Sequence, residues 1–195
     1  MYFRNSSSRF GAASVGFHWL TFLLVAGAWG LGQLMDLIPR GDPRATGVAV
    51  HIGIGLGVLC LVAARLAWRM SNPPPPAAHS SFGGIDTILA EIVHYALYAL
   101  LILVPVFGIA TWFARGQPLP VFGLFHIPTP LDTDRTLARN LIGVHALLAN
   151  AIVILAALHA AAALAHHYLL GDGVLTRMVP GLKRRSPRIK HAAQV

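Results

Sequence analysis

Asn140–Leu170, NLIGVHALLANAIVILAALHAAAALAHHYLL, is the stretch whose reading decides the fold. A bilayer-spanning helix needs about twenty apolar residues, and this run exceeds that. His145 and His159 lie inside it, fourteen residues apart. At about 100° and 1.5 Å per residue, they sit roughly 40° from eclipsed on one helix face and about 21 Å apart along the axis. A hydrocarbon core about 30 Å thick then holds one imidazole towards each of its sides. Ionisable side chains inside a membrane are costly and mark function by default. The other segments have to supply what faces these two histidines.

The composition agrees with a membrane setting. Of 195 residues, 55% are hydrophobic and 11% charged, against about a quarter charged in soluble domains. Such a chain cannot cover a water-facing surface, so we read it as one integral-membrane unit over residues 1–195. The formal net charge is +8, distributed in a way that points to membrane orientation and not to nucleic acid. The single cysteine, Cys60, makes no intrachain disulfide, and there is no C-x-x-C-H for covalent haem attachment. The apolar run after Arg4 and Arg9 is longer than a signal h-region and lacks a small-x-small cleavage site, so it reads as a retained helix.

Working outward, three more segments reach spanning length. They are about 15–35, 47–70 and 85–114, with the fourth at about 140–170 and a basic tail over 171–195. The expected fold is an all-α transmembrane four-helix bundle. Asp36–Thr46, the proline run in Ser71–Gly84 and the proline-rich loop Arg115–Arg139 connect the helices. Ten basic residues fall on the side shared by both termini and the second connector: Arg4, Arg9, Arg65, Arg69, Arg177, Lys183, Arg184, Arg185, Arg188 and Lys190. Arg40, Arg44, Arg115, Arg135 and Arg139 fall on the other. The positive-inside rule places both termini in the cytoplasm, with the tail held by anionic lipid.

Helix direction then sets depth. His18 starts a helix that leaves the cytoplasm, while His51 starts one that returns. His51 and His145 therefore share the outer level, and His18 and His159 the inner level. Two imidazoles at matched depth in an apolar bundle suit six-coordinate b-type haem. Gly27, Gly30, Gly32, Gly53, Gly55, Gly57 and Ala160–Ala163 offer small surfaces beside such a slot. Any one of these histidines is equally well explained as an interhelical hydrogen bond, but two matched pairs together favour haem. Zinc usually takes three or four protein ligands, and each level offers two.

The remaining histidines rank lower. His145 with His166 is a competing pair, but its span of about 31 Å reaches the headgroups. His166 and His167 read as interfacial, near a propionate or quinone. His94, near the cytoplasmic start of the third helix, is divided evenly between a site residue and an interfacial one. His79, His126 and His191 lie in loops or tail. Trp19, Trp29, Trp68 and Trp112 read as interface anchors. Pro105 is expected to kink the third helix and open room beside a cofactor. No P-loop, dinucleotide fingerprint, H-E-x-x-H or nucleophile elbow is present.

FHWL at Phe17, VHIGIGL at Val50, RLAWR at Arg65, PVFG at Pro105, RGQPLPVFGL at Arg115, VHALLAN at Val144, LHAAAALAHHY at Leu158 and DGVLTRMVP at Asp172 occur in this order. Over roughly residues 17–180 the chain resembles the bacterial di-haem cytochrome b561 family, the four-helix inner-membrane type. The resemblance implies two haem b per chain, His18 and His159 binding the cytoplasmic-side iron and His51 and His145 the periplasmic-side iron. It implies electron transfer to or from the quinone pool, with superoxide:ubiquinone oxidoreductase activity assigned within the family. Arg115, Arg135 and Arg139 would draw an anionic donor such as superoxide or pair with propionates. A homodimer or a redox partner protein fits this picture. The alternative is a haem-bearing membrane anchor of a hydrogenase or dehydrogenase complex. A haem-free transporter is the third reading, disfavoured by the lack of buried carboxylates.

Overall fold

The computed structural model describes residues 2–76 and 84–182. Four long helices carry the fold: α1 (Ala12–Leu34), α2 (Asp42–Ser71), α3 (Ile85–Ala114) and α4 (Arg135–Ala165). All four are long and apolar enough to cross a membrane. They alternate in direction, so the start of α1, the end of α2, the start of α3 and the end of α4 form one terminal end. The connector between α3 and α4 closes the opposite end with a two-stranded hairpin, β1 (Leu119–Val121) and β2 (Phe125–Ile127), in the register Leu119↔Ile127.

Three helices begin earlier than the hydropathy suggests, α2 and α4 by the most. Pro43 occupies the first turn of α2, where its missing N–H is not needed. α4 begins at Arg135 because Asp134 caps it, its carboxylate accepting from the N–H groups of Thr136 and Leu137 at 2.9 Å. At 30 residues, α2 is about 45 Å long and outruns the hydrocarbon thickness. At the other end of α4, His166–Leu170 form a π-helical turn. Gly171 follows with φ 67°, a left-handed stop that glycine tolerates.

The packing suits lipid. The buried core is the small cluster Val58, Val62, Leu101 and Ile152. Large apolar side chains instead point outward along the helices, among them Leu147 at 68% and Ile154 at 62% exposure. Water would penalise that surface, whereas acyl chains cover it at no cost.

Each tryptophan indole read as an interface anchor has a specific acceptor. Trp29 donates to the side-chain oxygen of Asn150 at 2.9 Å, joining α1 to α4. Trp68 donates to Ser14 at 3.2 Å, Trp112 to the Pro118 carbonyl at 2.9 Å, and Trp19 to the Met178 carbonyl at 2.8 Å. The last of these, with Arg177 donating to the Pro76 carbonyl at 2.7 Å, folds the segment after α4 across the terminal end. His79, His191 and the basic residues of the tail from Lys183 onward lie outside the described residues.

Candidate functional site

At the hairpin end, α2 and α4 bring His51 and His145 together, their ring centres 6.0 Å apart and the planes at 76°. The Nδ1 of His145 lies 2.8 Å from the carbonyl of Val104 on α3. A carbonyl only accepts, so Nδ1 carries the proton and the Nε2 lone pair is left for a metal. Gly108 makes this seat available. A Cβ at that position would stand 3.1 Å from Cε1 and 3.2 Å from Nδ1 of His145. The buried Nδ1 of His51 has no hydrogen-bond partner among the described residues. An apolar cleft runs beside the pair, lined by Val25, Gly55, Val104, Pro105 and Ala149. Pro105 is buried within α3 and lines this cleft.

Towards the terminal end, α1 and α4 bring His18 and His159 to 6.4 Å between ring centres, at 61°. The Val58, Val62, Leu101 and Ile152 cluster fills the bundle between the two levels. His94 joins the second group from α3, its ring centre 5.1 Å from that of His159. The contact places His94 beside the inner-level pair. Arg65 on α2 reaches the same level and lies over the Tyr98 ring at 5.2 Å.

Two axial imidazoles on one metal have predictable spacing. With a metal–nitrogen bond of about 2 Å, and the ring centre about 1 Å behind its nitrogen, the centres fall about 6 Å apart. Both cross-helix pairs meet that figure. The apolar cleft, the free Nε2 of His145 and the absence of a three-residue metal cluster among the described residues fit a bis-imidazole prosthetic group better than a bare ion.

Other histidines separate from this arrangement. His166 pairs with the Asp172 carboxylate. His167 is 2% exposed, with a buried Nδ1 that has no hydrogen-bond partner among the described residues. His126 is exposed on β2. Arg65, Gly108 and the Val104 carbonyl were missed as site groups in the sequence. Only Arg65 carried a signal: it follows His51 by fourteen residues, the same interval that separates His145 from His159.

An apolar four-helix bundle with two level imidazole pairs is the architecture of a membrane b-type cytochrome. The comparisons agree. The family model for prokaryotic cytochrome b561 matches residues 9–181. A protein of Yersinia pestis named probable superoxide oxidase CybB is 35% identical over 172 residues, covering 88% of this chain and 96% of the relative. Cytochrome b561 homolog 2 of Escherichia coli is 32% identical over 180 residues, covering 92% and 95%. Cytochrome b562 of Cereibacter sphaeroides is 29% identical over 167 residues, covering 83% and 89%. The chain belongs to the prokaryotic cytochrome b561 family, and is a membrane electron carrier that binds haem b.

Proposed function

We propose that His18 and His159 hold one haem b, that His51 and His145 hold a second, and that the chain passes single electrons between the faces of the inner membrane to the quinone pool. The observation that carries this reading is the pair of cross-helix imidazole couples, 6.4 and 6.0 Å between centres, on either side of an apolar core. His94 stands closer to His159 than two axial ligands of one metal would, which favours His18 as the partner. Haem, when bound, would supply one-electron redox chemistry, held at each level by two imidazoles from different helices. The protein keeps the sites dry, presents neutral imidazole nitrogens and fixes their separation.

The finer reading is a superoxide:ubiquinone oxidoreductase with both termini in the cytoplasm. It is supported by the name of the Yersinia pestis relative and by Arg115, Arg135 and Arg139, exposed at the hairpin end, where an anionic donor would be drawn in. Two superoxide anions each surrender one electron and leave as O₂. One quinone takes both electrons and two protons to become quinol.

The test is a reduced-minus-oxidised spectrum of the purified protein with haem quantified per chain. Two haems are expected, and one after His159→Ala. Two haems retained in that variant would overturn the ligand assignment. Quinone reduction driven by a superoxide source, abolished by superoxide dismutase, tests the donor; an unchanged rate with dismutase removes superoxide from the scheme.

A further inference from the structure

Arg65 is a cation near the terminal end of the membrane-spanning helix α2, in no ion pair among the described residues. It follows His51 by fourteen residues, and α2 runs parallel to α4. It therefore stands about 21 Å further along the axis, at the level of His159. Its guanidinium lies 5.2 Å from the centre of the ring of Tyr98 on α3, a residue one helical turn after His94 and on the same helix face. The side chain is thus turned into the bundle among the inner-level histidines.

No carboxylate answers it among the described residues. The two ion pairs there are Arg44 with Asp36 and His166 with Asp172. Glu91, an exposed residue one turn before His94, is in neither pair. Arg69, the other charged neighbour, is also a cation. A desolvated cation left unpaired is costly, and contact with one aromatic face offsets only part of that cost. The planar fork of arginine matches a carboxylate with two parallel N–H···O bonds.

We infer that Arg65 binds a propionate carboxylate of the haem held by His18 and His159, with Tyr98 supporting the guanidinium from below. The inference rests on the two-haem reading above. A lipid phosphate would satisfy the same charge, but a side chain directed at headgroups would be turned away from the histidines, not towards them.

The ionised pair holds a positive charge beside the iron and neutralises a negative one, and both effects favour the reduced state. Arg65→Gln is expected to keep the outer haem unchanged and to shift the inner haem's reduction equilibrium at least tenfold towards the oxidised form, about 59 mV for one electron. Arg65→Lys should shift it less. The decisive arm reconstitutes wild type and Arg65→Gln with haem dimethyl ester, whose propionates carry no charge. Arg65→Gln should also release its inner haem several-fold faster than wild type when the haem is ordinary, and that difference in retention should vanish with the ester. If Arg65→Gln leaves both potentials unmoved with ordinary haem, the assignment is wrong. A retention difference that survives the ester also overturns it, because the partner is then not a propionate. Should Arg65→Gln yield no protein, Arg65→Lys carries the same two comparisons. A wild-type chain with no b-type spectrum would instead sink the two-haem reading, which keeps the two failures apart.

Discussion

His145 shows how closely the site is specified by side chains that do no chemistry. Its ring is held by the Val104 carbonyl and lies against the backbone at Gly108. Adding bulk at 108 must push the ring or the helix, and overpacking of this kind costs about 1–3 kcal/mol. Gly108→Val is expected to lower occupancy of the His51–His145 haem while leaving the His18–His159 haem in place. Haem per chain, together with the redox spectrum of each centre, measures this. Equal loss of both haems would mean that Gly108 serves helix packing as a whole. The four ligand candidates were legible as residues because histidine is expensive in hydrocarbon. Gly108 was not, because a glycine in an apolar helix looks the same whether it faces lipid, a neighbouring helix or an imidazole.

At the scale of elements, α4 was the most legible part of the chain. Its apolar run and histidine interval follow from hydrophobicity and helical rise alone. Its true start was less visible, since Asp134–Arg139 is polar and carries no membrane signal, yet the Asp134 cap extends the helix through it. Asp134→Ala removes an acceptor for two N–H groups and should cost about 1 kcal/mol. Thermal unfolding in detergent is expected to fall by a few degrees with haem content unchanged, and an unaltered midpoint would show that this end of α4 is held by other contacts. The hairpin was not foreseen at all. Its turn places Phe122 at φ 51° and Gly123 at φ 73°, the positive pair a type I′ turn requires. Phenylalanine is a poor signal for that geometry, so the strands were hidden in what reads as a proline-rich loop.

For the whole molecule, helix alternation sets which residues share a level. Four crossings put the N-terminal segment, the end of α2 and the segment after α4 at one end, where Asn5 donates to the Asn72 carbonyl at 3.0 Å and Trp19 meets Met178. The charge asymmetry predicts that this end is cytoplasmic. Replacing Cys60, the one free cysteine, by alanine creates a background for thiol mapping. In intact spheroplasts, an impermeant maleimide should label Asp132→Cys and spare Ser7→Cys, both being exposed sites. The opposite pattern would reverse the orientation and, with it, the proposed entry and exit of electrons.

The sequence by itself determined the membrane class, the four helices and the two-level order of His18, His51, His145 and His159. Length, hydropathy and helical rise are properties of one segment at a time, and chain direction links them. Only the tertiary structure decided which groups meet across helices. It brought His94 to His159, turned Arg65 inward over Tyr98, set His145 on the Val104 carbonyl and enclosed His167. Those outcomes depend on how each helix is rotated about its own axis. Rotation is settled by packing against three neighbours at once, and a linear hydrophobic pattern surrounded by lipid leaves it almost unconstrained.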